Sequence, residues 1–274
     1  MHIQNLSQTS IEEIVFAIML SFEGYFVTMP SDNDYWAARF QRARVDFSLS
    51  FGMFDNKELV GFIINGIDEY NGFNTAFNTG TGVLPKYRGQ KIVDQLYQHA
   101  LPHFKAASIQ QCALEVIQQN DRAIRVYERI GFQTIKEYPC FKGKLPASNY
   151  QTQIQPIQHA DIPLKPAFPD AWDNTNSAIK IAPAQYFESY QVHYQDQTIG
   201  YFTIHPSSGY LPQFGVIQPD NSQQWTLLFD GIAQIQRELK INNIDARRQH
   251  QIQALQTIGL ENVISQFEMQ YVLP

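Results

Sequence analysis

At 274 residues and 31.5 kDa, with 44% hydrophobic and 17% charged residues, the chain can bury one large core or two modest ones, which excludes disorder as its default state. A net charge of −6 and a pI near 5.6 argue against a protein that grips nucleic acid, because such proteins carry broad positive surfaces. The charge is uneven: residues 1–145 hold 14 basic and 15 acidic residues, whereas 146–274 hold 6 and 11, so the first half is the better host for an anionic ligand.

The chain opens on Met-His-Ile-Gln-Asn-Leu-Ser, without the basic start and apolar stretch of a secretory signal. No apolar run approaches the roughly 20 residues that span a bilayer. Two cysteines, Cys112 and Cys140, in strand-like apolar surroundings make no disulfide framework, and a reduced, cytoplasmic setting is expected.

Ser10-Ile11-Glu12-Glu13 has the form of a capping box, and Ile11, Ile14, Val15, Ile18 and Met19 follow at helical spacing. A second helix is predicted after Ser31 to about Arg44, with residues 24–30 between them as an aromatic loop suited to lining a pocket. Residues 47–54, 59–64 and 74–83 read as three strands of an antiparallel meander, with turns at 55–57 and 70–72. After Pro85 the period changes: Ile92, Leu96, Ala100 and Phe104 recur every four residues, and Val93, Tyr97 and Leu101 widen the stripe. A strand over 112–116, a helix over 121–130 stopped by Gly131, and a last pair of strands from Phe132 to Lys144 complete the first half. This order implies an α/β or α+β mixed sheet with helices on its faces.

Residues 146–152 are polar and unpatterned and are expected to be a linker. Beyond them, residues 196–202 echo 57–63, Phe214-Gly215-Val216 echoes Thr81-Gly82-Val83, and residues 252–260 align without gaps on 124–132. The pattern is that of an internal duplication, with domains at 1–145 and 153–274.

The most informative run is Thr79-Gly80-Thr81-Gly82-Val83-Leu84-Pro85-Lys86-Tyr87-Arg88-Gly89-Gln90-Lys91-Ile92-Val93. Here a strand ends in a glycine-bearing turn that opens into a helix, with Arg88 and Lys91 at the opening. Unpaired N–H groups and the positive end of the helix dipole suit such a place to phosphate. It is neither a Walker loop nor a GxGxxG fingerprint; an ordinary strand–helix turn with two solvated cations is the plain alternative. A second run, Leu114-Glu115-Val116 followed by Asn120, Ala123, Tyr127, Gly131 and Phe132, stands about 30 residues later.

Together these runs resemble the GNAT family of N-acetyltransferases, over about residues 1–145 and most specifically from Gly80 to Phe132. The resemblance implies the GNAT acyl-CoA N-acyltransferase fold in tandem, with a first copy that transfers an acetyl group from acetyl-CoA, as cosubstrate, to a small-molecule or peptide amine. It implies that the main chain at Thr81, Gly82 and Val83 pairs with the pantetheine arm, that the loop Arg88, Gly89, Gln90, Lys91, Ile92 and Val93 offers N–H groups to the pyrophosphate, that Asn120 contacts the cofactor arm, and that Tyr127 is the general acid for the departing thiolate. Beside these roles stand plainer ones: Tyr127 as a half-buried packing aromatic and Asn120 as a helix N-cap.

The chain departs from the family cradle at Lys91 and Val93, where glycine, and glycine or alanine, are usual, so altered CoA binding is expected. No carboxylate lies on the 74–83 strand; Asp68, Glu69, Glu115 and a water chain are equal contenders for the general base. No metal is implied, and neither a nucleic-acid nor a membrane partner. With the offset of 128, Tyr127 maps to Leu255, Asn120 to Arg248 and Glu115 to Asn243, and the Arg-Gly-Gln-Lys cradle has no counterpart. The second copy is therefore expected to be degenerate, kept as a cover for a sheet edge, a wall of the acceptor cleft or a homodimer contact. The rival expectation is a CoA-sensing or partner-binding pseudoenzyme with the same fold.

Overall fold

The computed structural model describes residues 1–24, 26, 29–149, 151–163 and 167–274. The expected aromatic loop falls partly outside these, at Tyr25, Val27 and Thr28. The chain divides into two units: Met1–Ile135 with Glu268–Pro274, and Lys136–Phe267.

In the first unit, strand β1 (His2–Asn5) leads to helix α1 (Ile11–Ser21), which the Ser10/Glu13 capping box starts through reciprocal bonds of 3.2 and 3.1 Å. Asp32 caps α2 (Asn33–Arg42) by accepting from the Tyr35 N–H. Strands β2 (Phe51–Asp55), β3 (Glu58–Tyr70) and β4 (Phe73–Val83) form the antiparallel meander, β2 starting later and β3 running further than the pattern suggested. Helix α3 (Ile92–Ala106) buries Ile92, Leu96, Tyr97, Ala100 and Phe104, the face that the four-residue period marks. Strand β5 (Gln111–Ile117) lies parallel to β4, and α4 (Asp121–Ile130) follows.

Residues 133–144 make one continuous strand, β6 (Gln133–Lys144), rather than a pair, because no turn interrupts them: Pro139 sits within the strand, which runs on to pair with the second unit's sheet. The second unit continues with β7 (Gln153–Ile157), α5 (Asn176–Ile181), β8 (Glu188–Tyr194), β9 (Gln197–His205), β10 (Tyr210–Val216), α6 (Ser222–Ala233), β11 (Glu238–Ile241), α7 (Gln249–Thr257) and β12 (Glu261–Val272). From β8 on, the order repeats that of β2 to α4. Its core is built from Val192, Phe202, Ile204, Leu228, Phe229 and Leu255, among others.

The division differs from the boundary expected at 145 and 153. The strand after α4 leaves the first unit: in the second, β6 pairs antiparallel with β11, Phe141 opposite Ile241 and Lys144 opposite Glu238. The chain's last residues, at the end of β12, instead stand beside β5 in the first unit, where the Leu273 N–H donates to the Gln110 carbonyl at 2.9 Å. The two copies thus exchange their final strands. Within the expected linker, Ser148, Asn149, Gln151 and Thr152 are anchored: the Asp230 carboxylate of α6 accepts from Ser148 Oγ (2.8 Å), the N–H groups of Asn149, Gln151 and Thr152 (2.7, 3.1 and 3.2 Å) and Thr152 Oγ1 (2.9 Å).

Candidate functional site

The site is built where β4 and β5 part. They pair only from Thr75 opposite Gln111 to Asn78 opposite Leu114, yet β4 runs on to Val83 and β5 to Ile117. At the point of parting β4 also bulges: Ile64 faces Gly80 while Asn65 faces Asn78, so Thr79 is the extra residue. Thr81, Gly82 and Val83 remain paired with β3, opposite Ile63, Phe62 and Gly61, and no strand pairs with their other edge among the described residues. Gly82 is required there, since an added Cβ would stand 2.4 Å from Phe62 Cζ and 2.8 Å from Ser21 Cβ. Thr81 Oγ1 donates to Asn78 Oδ1 at 2.9 Å, tying the strand across the bulge.

The loop from Arg88 to Val93 follows. Gly89 takes φ +83° and Lys91 φ +55°, and this pair of left-handed residues turns the chain into α3. Lys91 is the N-cap of α3 and supplies no side-chain cap, and no described residue accepts from the backbone N–H groups of Gly89, Gln90, Lys91, Ile92 or Val93. Gln95 Nε2 holds the Gln90 carbonyl at 3.0 Å. A run of free N–H groups at a helix N-terminus fits a pyrophosphate, and the exposed Gly89 leaves open space beside it.

The Arg88 side chain is used otherwise: its guanidinium donates to the carbonyls of Ser21 (3.1 Å) and Val83 (3.3 Å), pinning the end of α1 to the end of β4. Asp94, in the first turn of α3, forms a two-pronged pair with Arg129 of α4 (2.6 and 2.7 Å); that hydrogen bonding, against burial, holds its carboxyl below the ordinary range.

Asn120 is the N-cap of α4, its Oδ1 accepting from the Ala123 N–H at 3.2 Å. Tyr127 lies on the buried face of α4. Its ring meets Phe132 edge-on at 5.7 Å, and Phe132 meets Tyr97 of α3 at 5.4 Å. The buried Tyr97 phenol is pushed well above 10, first by burial and then by Tyr127 and Cys112, with Asn78 opposing. Asn78, Tyr97 and Tyr127 thus gather at the parting of β4 and β5. Tyr97 has a core residue's spacing, so nothing in the pattern singled out its hydroxyl; the parting itself depends on pairing that spacing does not reveal.

Of the contenders for a base, Asp68 is paired with Arg44 at 3.1 Å. Cys112 is buried, its thiol pushed up to about 12, and Cys140 is bonded to Asn243 at 3.1 Å, so neither has the character of a nucleophile.

The second unit repeats the frame. The turn after α4 is a Schellman cap, with Phe132 N–H to Tyr127 carbonyl at 3.0 Å and Gly131 N–H to Glu128 carbonyl at 3.0 Å; after α7 the same bonds recur at Leu260 to Leu255 (2.9 Å) and Gly259 to Gln256 (3.1 Å). The start of α6, however, is closed by its own side chains: Asn221 Oδ1 accepts from the Gln223 N–H, and Gln224 Oε1 accepts from the Gln218 N–H. Beside β10, the Asp170 carboxylate accepts from both Arg248, at 2.8 Å, and Gln213, at 3.1 Å.

Residues 15–132 match the model of the acetyltransferase (GNAT) family. A stretch of 84 residues is 32% identical to N-alpha-acetyltransferase 30 of Schizosaccharomyces pombe, covering 30% of this chain and 56% of that protein, so the match spans little more than half the relative's length. Among solved structures, a tandem GNAT protein from the clavulanic acid biosynthesis pathway superposes with a TM-score of 0.71 at 13% identity, covering 100% of this chain and 98% of the other. A GCN5-related N-acetyltransferase from Sphaerobacter thermophilus gives 0.70 at 12% identity, with coverages of 99% and 95%. At such identities these two speak for the fold alone. No helix among the described residues is long and apolar enough to cross a membrane.

Proposed function

We propose that the first unit, whose residues 15–132 match the GNAT acetyltransferase family model, transfers an acetyl group from acetyl-CoA to a primary amine of a small molecule or peptide. The observation that carries this is the pairing of two features in one copy: a strand edge left open beyond Asn78, and an uncapped helix start with free N–H groups from Gly89 to Val93. The second copy closes its corresponding helix start and has Leu255 where the first has Tyr127.

In this reading the N–H groups of Gly89 to Val93 hold the pyrophosphate, and the edge of β4 at Thr81, Gly82 and Val83 pairs with the pantetheine arm. The Val83 carbonyl already accepts from Arg88, which makes Arg88 a brace for the strand rather than a phosphate ligand. Asn120 combines its cap with a contact to the arm. Held side by side, the neutral amine attacks the thioester carbonyl, the C–N bond forms and the C–S bond breaks. Tyr127 gives its phenolic proton to the departing thiolate, and the amine's surplus proton passes to water or a carboxylate. Placement of the two reactants supplies most of the rate, so few fixed catalytic groups are needed.

The two cysteines, buried as thiols, support a reduced, cytoplasmic setting. A CoA-binding protein without turnover is the second reading, favoured by the branched Val93 in the cradle. Thiol release measured over a panel of amines separates them. Turnover that falls about 100-fold in Tyr127→Phe, with acetyl-CoA binding kept, is the expected result. Binding without release on any amine would overturn the enzymatic reading.

A further inference from the structure

We infer that Tyr271, near the end of the chain, is a positioning residue for Tyr127. The inference rests on the acetyltransferase reading for its kinetic consequence, though its geometry stands apart from it. Residues 268–274 are stitched into the first unit by buried polar groups. Glu268, with no exposed surface, accepts from the Tyr70 hydroxyl of β3 at 2.7 Å. Gln270 donates to the Gln111 side chain of β5, and Gln111 in turn donates to Thr75 Oγ1 of β4 at 2.8 Å and to the Tyr70 carbonyl at 3.2 Å. Leu273 adds its main-chain bond to Gln110.

Tyr271 lies between these anchors and covers the cap of α4. A Cβ on Gly131 would stand 3.0 Å from its Cε2, so the ring rests where that glycine has no side chain. Its centroid is 5.8 Å from that of Phe132. Phe132, 2% exposed, touches the rings of both Tyr97 and Tyr127, and its N–H holds the Tyr127 carbonyl. The ring of Tyr271 thus presses on the residue that fixes Tyr127 by both backbone and side chain. Among the described residues the other copy lacks this device: Gly259 has the same kind of positive φ, +92°, but no described atom lies within 4 Å of a Cβ placed there. The cover is present where a tyrosine stands on the helix and absent where Leu255 does. Since Tyr271 is itself only half-buried, its loss loosens the cap without removing a core side chain.

The test compares the full chain carrying Tyr271→Ala, Tyr271→Leu or Tyr271→Phe with the unaltered protein, by thiol release and by amide hydrogen exchange over residues 121–132. With alanine, kcat falls roughly tenfold while KM for acetyl-CoA stays within about twofold, and α4 exchanges faster; phenylalanine restores both. Leucine gives a smaller loss of the same kind and serves if the alanine chain does not fold. Unchanged kcat and exchange in the alanine and leucine chains would overturn the inference, as would a phenylalanine chain as impaired as alanine, since the hydroxyl and not the ring would then matter. If the unaltered protein turns over no amine, the acetyltransferase reading fails while the exchange comparison still decides the positioning.

Discussion

Lys91→Gly tests whether the cradle keeps a glycine's backbone under a lysine side chain. Lys91 holds φ +55°, a region that costs an L-residue about 1–2 kcal/mol and glycine nothing. Glycine loses more freedom on folding, by roughly 0.5–1 kcal/mol, so the net gain expected is about 0.5–1 kcal/mol. In the full chain that raises Tm by about 1–3 °C, read by scanning calorimetry. Acetyl-CoA affinity, measured by titration calorimetry, should move the other way, falling several-fold as the cation leaves the proposed phosphate site, and less so at high salt. A lower Tm would refute the strain; affinity unchanged at every salt concentration would show that the lysine does not contact phosphate.

Two further outcomes concern the second unit. Asp230→Ala removes the acceptor of five hydrogen bonds from residues 148–152, and cleavage of that segment by a non-specific protease should quicken at least about tenfold. Burial raises the Asp230 carboxyl but the bonds from Ser148 and Thr152 outweigh it, leaving its pKa below the usual value; the anchoring is therefore complete above about pH 4 and is lost as pH falls through the depressed pKa, which protease sensitivity across pH checks. Arg248→Met strands the Asp170 carboxylate, which burial already pushes upward despite Arg248, and should cost roughly 3 kcal/mol in denaturant unfolding. The deficit should shrink as pH falls, because protonating Asp170 removes the buried charge; a deficit that grows in acid would contradict this.

Local chemistry made much of the fold legible. The Ser10 box, the stripe on α3 and the glycine stop at 131 are set by neighbours within a turn or two, and each is found where the pattern placed it. The gapless alignment of 252–260 on 124–132 is visible as the same helix cap built twice. What spacing could not reveal is pairing over long separations. Residues 133–144 carry a strand's composition, but nothing in them names Ile241 rather than Cys112 as a neighbour, and so the boundary was expected where composition changes. For the candidate site, Tyr127, Asn120 and the proposed cradle stand out through spaced motifs, whereas Tyr97 and Tyr271 look like ordinary core and strand aromatics. The Arg88 guanidinium shows the opposite case: a cation beside a phosphate-like turn whose partners, the carbonyls of Ser21 and Val83, only the fold brings near.

The exchange of final strands sets an order on biogenesis. A ribosome that has released residues 1–135 has not yet made residues 268–274, which close their sheet beside β5, because residues 136–267 are translated in between. The first copy waits, with one sheet edge open, for the whole of the second. The same wiring bears on truncation: a chain cut back to residues 1–135 forfeits Glu268, Gln270 and Tyr271 together, and with them the bonds to Tyr70 and Gln111 and the ring contact with Phe132.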